Sequence, residues 1–153
     1  MKILTSITCL ILLVFNLNAQ ENIDSIETNL EDRDLDTNLI NDYLILGNFY
    51  RKTDSLKAIT YIEKAFQLAS DLKNRTKKGE ALLLKGNFHV LWGYDLEKAL
   101  SAYETAAALF RAEKNNLLEL DAITRMGFYY GILGDDSKSF AIYEDALKRH
   151  HIH

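Results

Sequence analysis

Proline is absent from all 153 residues, where average usage would supply about seven or eight. The chain therefore lacks both the strongest helix breaker and a common turn marker. Glycine is sparse, at seven residues, which excludes collagen-like and glycine-rich low-complexity sequence. The one cysteine, Cys9, provides no disulfide framework and no thiol pair for zinc or redox chemistry. Positive charge is in deficit, with 18 Lys and Arg against 22 Asp and Glu and a formal charge of −4. That balance argues against a nucleic-acid binder living on phosphate contacts. Neither G-x-x-x-x-G-K-[ST] nor G-x-G-x-x-G occurs to cradle phosphates. What is present is 48% hydrophobic and 26% charged sequence, a soluble globular composition rich in Leu, Ala and Lys. The class is all-α, within one domain or a short repeat array.

The first 19 residues predict a secretory signal peptide. Lys2 supplies a positive start, Ile3 to Leu17 is mostly apolar, and Asn18-Ala19-Gln20 closes the run with a small residue. The densest stretch, Leu10 to Phe15, is far short of the ~20 apolar residues of a membrane span. Cys9 precedes most of that run, whereas a lipid-attachment cysteine would follow it. The expectation is therefore export, to a periplasmic or secreted location, with cleavage after Ala19 and no thiol in the mature chain. Residues 20–36 form an acidic leader. Between Glu21 and Asp36 seven acids face one base, Arg33. Ile23, Ile26 and Leu30 keep helical spacing there, so the leader is either a short amphipathic helix or a solvated segment.

Residues 37–153 repeat. LGNFY (46–50), KGNFH (85–89) and MGFYY (126–130) place Gly47, Gly86 and Gly127 at intervals of 39 and 41. Ala58, Ala99 and Ser139 recur at 41 and 40, as do Ile62, Tyr103 and Tyr143, and Ala65, Ala106 and Ala146. A fixed period of this size is the signature of stacked helix pairs. Three units follow, about 37–75, 76–115 and 116–150. Their helices are predicted at 38–51, 55–73, 77–92, 96–114, 117–133 and 137–150. Asp54, Asp95 and Asp135-Asp136 can cap the second helix of each unit, and Gly93 and Gly134 end the helices before two of them. Thr76 and Asn116, the latter with Glu119, are the expected caps between units. Each repeated Gly is expected to face an Ala of the second helix. Phe49, Tyr50, Phe88, Tyr129 and Tyr130, with Tyr103 and Tyr143, are expected to fill the groove toward the next helix.

These positions resemble the tetratricopeptide repeat family. The pairs Gly47/Tyr50 and Gly127/Tyr130 match its Gly-x-x-Tyr, with Gly86/His89 carrying His in place of Tyr. Ala99-Leu100, Tyr103 and Ala106-Ala107, and Ser139-Phe140, Tyr143 and Ala146-Leu147, match its second helix. Ala58-Ile59, Ile62 and Ala65-Phe66 fit more loosely. The period near 40 exceeds the family's usual 34, and the Pro after the second helix is missing. Long-helix bacterial variants found in sensory and regulatory proteins look most similar.

The resemblance implies a right-handed α–α superhelix of three helix pairs, whose first helices line a concave groove that binds a protein or peptide. The groove candidates are Asn48, Arg51 and Lys52, then Asn87, Val90 and Leu91, then Thr124, Arg125 and Phe128. Asn48 and Arg125 stand at carboxylate-clamp places of the family, but Leu44, Leu84 and Asp121 stand where that clamp needs Lys, Asn and Lys. Chaperone-tail binding is therefore not expected.

No catalytic constellation emerges, so the chain is not expected to be an enzyme, nor to carry a cofactor. His150, His151 and His153 cluster without a carboxylate beside them, and no specific metal site is expected. The function expected is an exported, non-catalytic scaffold for protein–protein or peptide binding. The alternative is the extracytoplasmic sensor-input part of a longer histidine kinase or helix-turn-helix regulator. Phe140, Tyr143 and Leu147 mark a last-helix face expected to be exposed, supporting self-association or a continuing chain.

Overall fold

The computed structural model describes residues 21–93 and 95–150. The expected signal peptide at 1–19, with Cys9, lies outside these residues, as do His151 and His153. By contacts the chain divides into Met1–Asp34 and Leu35–His153. In the first of these, residues 21–28 are helical (α1), followed by a single 3-10 turn at Leu30–Asp32.

Within the second unit lie α2 (Thr37–Tyr50), α3 (Ser55–Asp71), α4 (Arg75–Trp92), α5 (Leu96–Ala112), α6 (Asn116–Ile132) and α7 (Asp136–His150). There is no strand among the described residues. From α2 onward each helix packs against the next, and α2 also reaches α4, the first helix of the following pair. None of these helices is long and apolar enough to cross a membrane. The all-helical, sequentially packed arrangement is compatible with a tetratricopeptide-like repeat.

Helix starts follow from short polar side chains that accept the otherwise unpaired N–H groups of the first turn. The Asp36 carboxylate accepts from the backbone of Asn38 and Leu39. Asp54, Asp95 and Asp135 accept from Lys57, Lys98 and Lys138. The expected inter-unit caps are displaced. Asn74, not Thr76, accepts from Lys77, and Asn115, not Asn116, accepts from Leu118. The reason lies in the turn before each: Lys73 and Lys114 take left-handed conformations (φ 54° and 56°), and the asparagine after each donates its N–H to Ala69 O or Phe110 O. That closure starts the next helix one or two residues earlier than expected. Glu119 is buried and ion-paired with Arg111 at 2.7 Å and Arg149 at 3.5 Å.

The core consists of small residues interleaved with large ones. Ala58, Ala65, Ala99 and Ala106 are completely buried beside Ile62 and Phe110. Burying each large side chain contributes about 1.5–3 kcal/mol. The glycines do not face alanines as expected. A Cβ built on Gly127 would lie 2.6 Å from Tyr143 Cζ, and one on Gly47 would lie 2.8 Å from Ile62 Cγ1. On Gly86 it would strike the Tyr103 ring. Glycine is thus the slot that receives the large residue of its partner helix, while the alanines allow close approach elsewhere.

A candidate partner-binding cleft

Three first helices place side chains around one cleft of about 220 Å³. Arg51 comes from the end of α2, Asn87, Val90 and Leu91 from α4, and Arg125, Phe128 and Tyr129 from α6, with Tyr103 of α5 at the back. Val90, Leu91 and Phe128 form its apolar wall. Leu91 is 49% and Phe128 65% exposed, so two large apolar side chains stand in water beside two guanidinium groups.

The polar side of the cleft holds two hydrogen-bonded sets. Asn87 Oδ1 accepts from the Tyr103 hydroxyl at 2.9 Å and from Arg125 Nη1 at 2.8 Å. Arg125 Nη2 donates to Asp121 at 2.9 Å. Arg51 Nε donates to Asn48 at 2.8 Å, and the Trp92 indole N–H donates to the Arg51 carbonyl at 2.8 Å. These bonds tie the first pair to the second and the second to the third. Two buried polar atoms in the cleft have no hydrogen-bond partner among the described residues: Arg125 Nε, a donor, and the Tyr129 hydroxyl oxygen, which can donate or accept. A buried unpaired polar group costs about 1–3 kcal/mol. Burial pushes the Tyr103 phenol up to about 12. Burial also raises that of Tyr129, with Asp95 adding to the effect. Both hydroxyls therefore stay protonated at neutral pH.

Of the residues expected to line a groove, Arg51, Asn87, Val90, Leu91, Arg125 and Phe128 meet in this cleft. Asn48 stands behind it, orienting Arg51. Thr124 is not on the wall: its hydroxyl donates to Leu120 O on its own helix, and its carbonyl accepts from Tyr143. Lys52 is exposed and also off the wall. Tyr103 and Tyr129 are expected from the sequence to fill the groove toward the next helix. Both are buried, yet both also line the cleft. The available signal was that Tyr129 occupies the place held by Phe49 and Phe88 in the other repeats, so it adds a hydroxyl where the pattern needs none.

A second, smaller recess involves His89, with Lys85, Lys98, Ser101 and Thr105 around it. The imidazole packs edge-on to Phe88 at 5.7 Å between ring centres, and neither ring nitrogen has a hydrogen-bond partner among the described residues. Burial first, then Lys85 and Lys98, lower its pKa. Both lysines are already paired, Lys85 with Glu63 and Lys98 with Asp95. The recess is therefore electrically balanced. No group of His, Cys, Asp and Glu suited to hold a metal ion occurs among the described residues.

No family model matches the chain. The chain is similar to the alpha-soluble NSF attachment protein of Homo sapiens, with 24% identity over 98 residues. The match covers 64% of this chain and 33% of that protein, so the chain spans about a third of the curated relative it matches.

Proposed function

We propose that this chain is a non-catalytic, exported scaffold that binds a partner protein or peptide in the cleft, on the concave face of a right-handed superhelix. The observation that carries the reading is the meeting of Leu91, Phe128, Arg51 and Arg125, drawn from three repeats, around one recess. Apolar side chains exposed beside fixed donors are what a binding site for a protein segment needs. The similarity to an attachment protein supports the same class. Export rests on the composition of residues 1–19.

The test uses the full chain as bait in an extract of its own cell, beside the double variant Leu91→Glu/Phe128→Glu. Both positions are exposed, so helicity and melting temperature should change little. The expected result is a protein captured by the natural chain and lost from the variant. Equal capture by both would remove the cleft from the function.

A further inference from the structure

We propose that the cleft is built for an acidic side chain of its partner: a Glu or Asp carboxylate flanked by an apolar residue, within a protein segment. This rests on the cleft being the partner-binding site and adds the chemistry it selects. The unfilled hydrogen-bonding positions in it can each donate: Arg125 Nε and the Tyr129 hydroxyl have no partner among the described residues. Asn87 spends its oxygen on Tyr103 and Arg125, leaving its amide NH₂ as a donor. Among the described residues its lining holds two guanidinium groups, Arg51 and Arg125, and no carboxylate; Asp121 engages Arg125 from outside the lining, and Asp95, which acts on Tyr129, is ion-paired with Lys98. A cleft with surplus donors and surplus positive charge is complementary to an acceptor that carries negative charge. The apolar wall of Leu91 and Phe128 then fixes what stands beside that carboxylate.

Tyr129 supplies an independent argument. The repeat holds phenylalanine at this place in Phe49 and Phe88, so packing alone does not require the hydroxyl. The side chain is only 2% exposed, and its O–H meets no acceptor among the described residues. A polar group that stability does not use is explained by recognition. The raised phenol pKa keeps it a donor across the neutral range.

The experiment is selection from a displayed random-peptide library on the full chain. Fluorescence anisotropy then follows with the selected peptide and its counterpart in which each Glu or Asp becomes Gln or Asn. The selected sequences should share an acid next to an apolar residue. Their amide counterparts should bind roughly tenfold or more weakly, as expected for losing charge-assisted hydrogen bonds. Tyr129→Phe should weaken the acidic peptide roughly three- to tenfold while leaving the melting temperature unchanged or higher. Selected sequences without an acid, an amide counterpart of equal affinity, or no enrichment at all would each overturn the acidic preference. If acid-free peptides still lose binding to Leu91→Glu/Phe128→Glu, the cleft remains the binding site and only its selectivity is wrong. If peptides bind that variant undiminished, the cleft reading falls as well.

Discussion

At the scale of the residue, the repeat carries an internal control for His89. Its counterparts are Tyr50 and Tyr130, and each of those rings lies under a lysine of the following helix. Lys57 Nζ is 4.4 Å from the Tyr50 ring centre and Lys138 Nζ 5.1 Å from that of Tyr130. In the middle unit the equivalent lysine is Lys98, and there it opposes protonation of an imidazole instead of resting on a phenol. His89→Tyr should restore the pair and stabilise the chain by about 0.5–1 kcal/mol at neutral pH. The same residue sets an acid dependence. A histidine whose folded pKa is depressed takes up its proton more readily when unfolded, so stability falls as pH drops below about 6.5. Thermal melts of the natural chain should show that fall, and in His89→Tyr this part of it should vanish. Tyr103 acts at the other extreme. Its phenol is held near 12, against 10 when unfolded, so its stabilisation is complete below pH 10 and disappears between about 10 and 12. Tyr103→Phe should flatten the alkaline decline and also release Asn87.

At the scale of the element, two glycines separate shape from conformation. Gly127 is helical, and an added Cβ would sit 2.6 Å from the Tyr143 ring, which its own hydroxyl ties to the Thr124 carbonyl at 3.3 Å. A tethered ring cannot swing away cheaply. Gly127→Ala should therefore cost about 1–3 kcal/mol from overpacking, against a helix-propensity gain near 1. Gly134 has φ +77°, and an added Cβ would meet nothing within 4 Å. Gly134→Ala should cost about 1 kcal/mol through the backbone alone. Urea unfolding of both variants gives the comparison. The helices were legible in the sequence because alanine, glycine and aromatic positions share one period and because Asp54, Asp95 and Asp135 are capping residues at the right places. The inter-unit starts were not. Their position depends on lysines adopting a left-handed turn at Lys73 and Lys114, and lysine carries no compositional signal for that conformation.

At the scale of the whole repeat unit from Leu35 onward, each helix leans on those adjacent in sequence. The middle pair, α4 and α5, has neighbours on both sides, whereas α7 has α6 as its main neighbour and leaves Phe140 71% and Leu147 46% exposed. Stability in such an array is a sum of nearest-neighbour terms. Native-state hydrogen exchange should therefore find α4 and α5 the most protected and α7 the least. The cleft residues that sequence reasoning placed together came from a one-dimensional register: Arg51, Asn87, Leu91 and Phe128 lie in the C-terminal halves or at the ends of the first helices, and Arg125 at the middle of α6. What the register could not give was depth. Whether Tyr129 is buried filler or cleft wall depends on how far α6 sinks against its neighbours, and no spacing encodes that.

The hydrogen bond from Trp92 to the Arg51 carbonyl has an optical consequence. Trp92 is the single tryptophan, only 37% exposed, and it joins the ends of α2 and α4 next to Leu91. The protein thus carries its own fluorophore at the rim of the recess. A ligand that spreads or draws together the first two repeats would shift indole emission without any attached dye. A red shift would report that the indole had gained contact with water, and a blue shift that it had been covered.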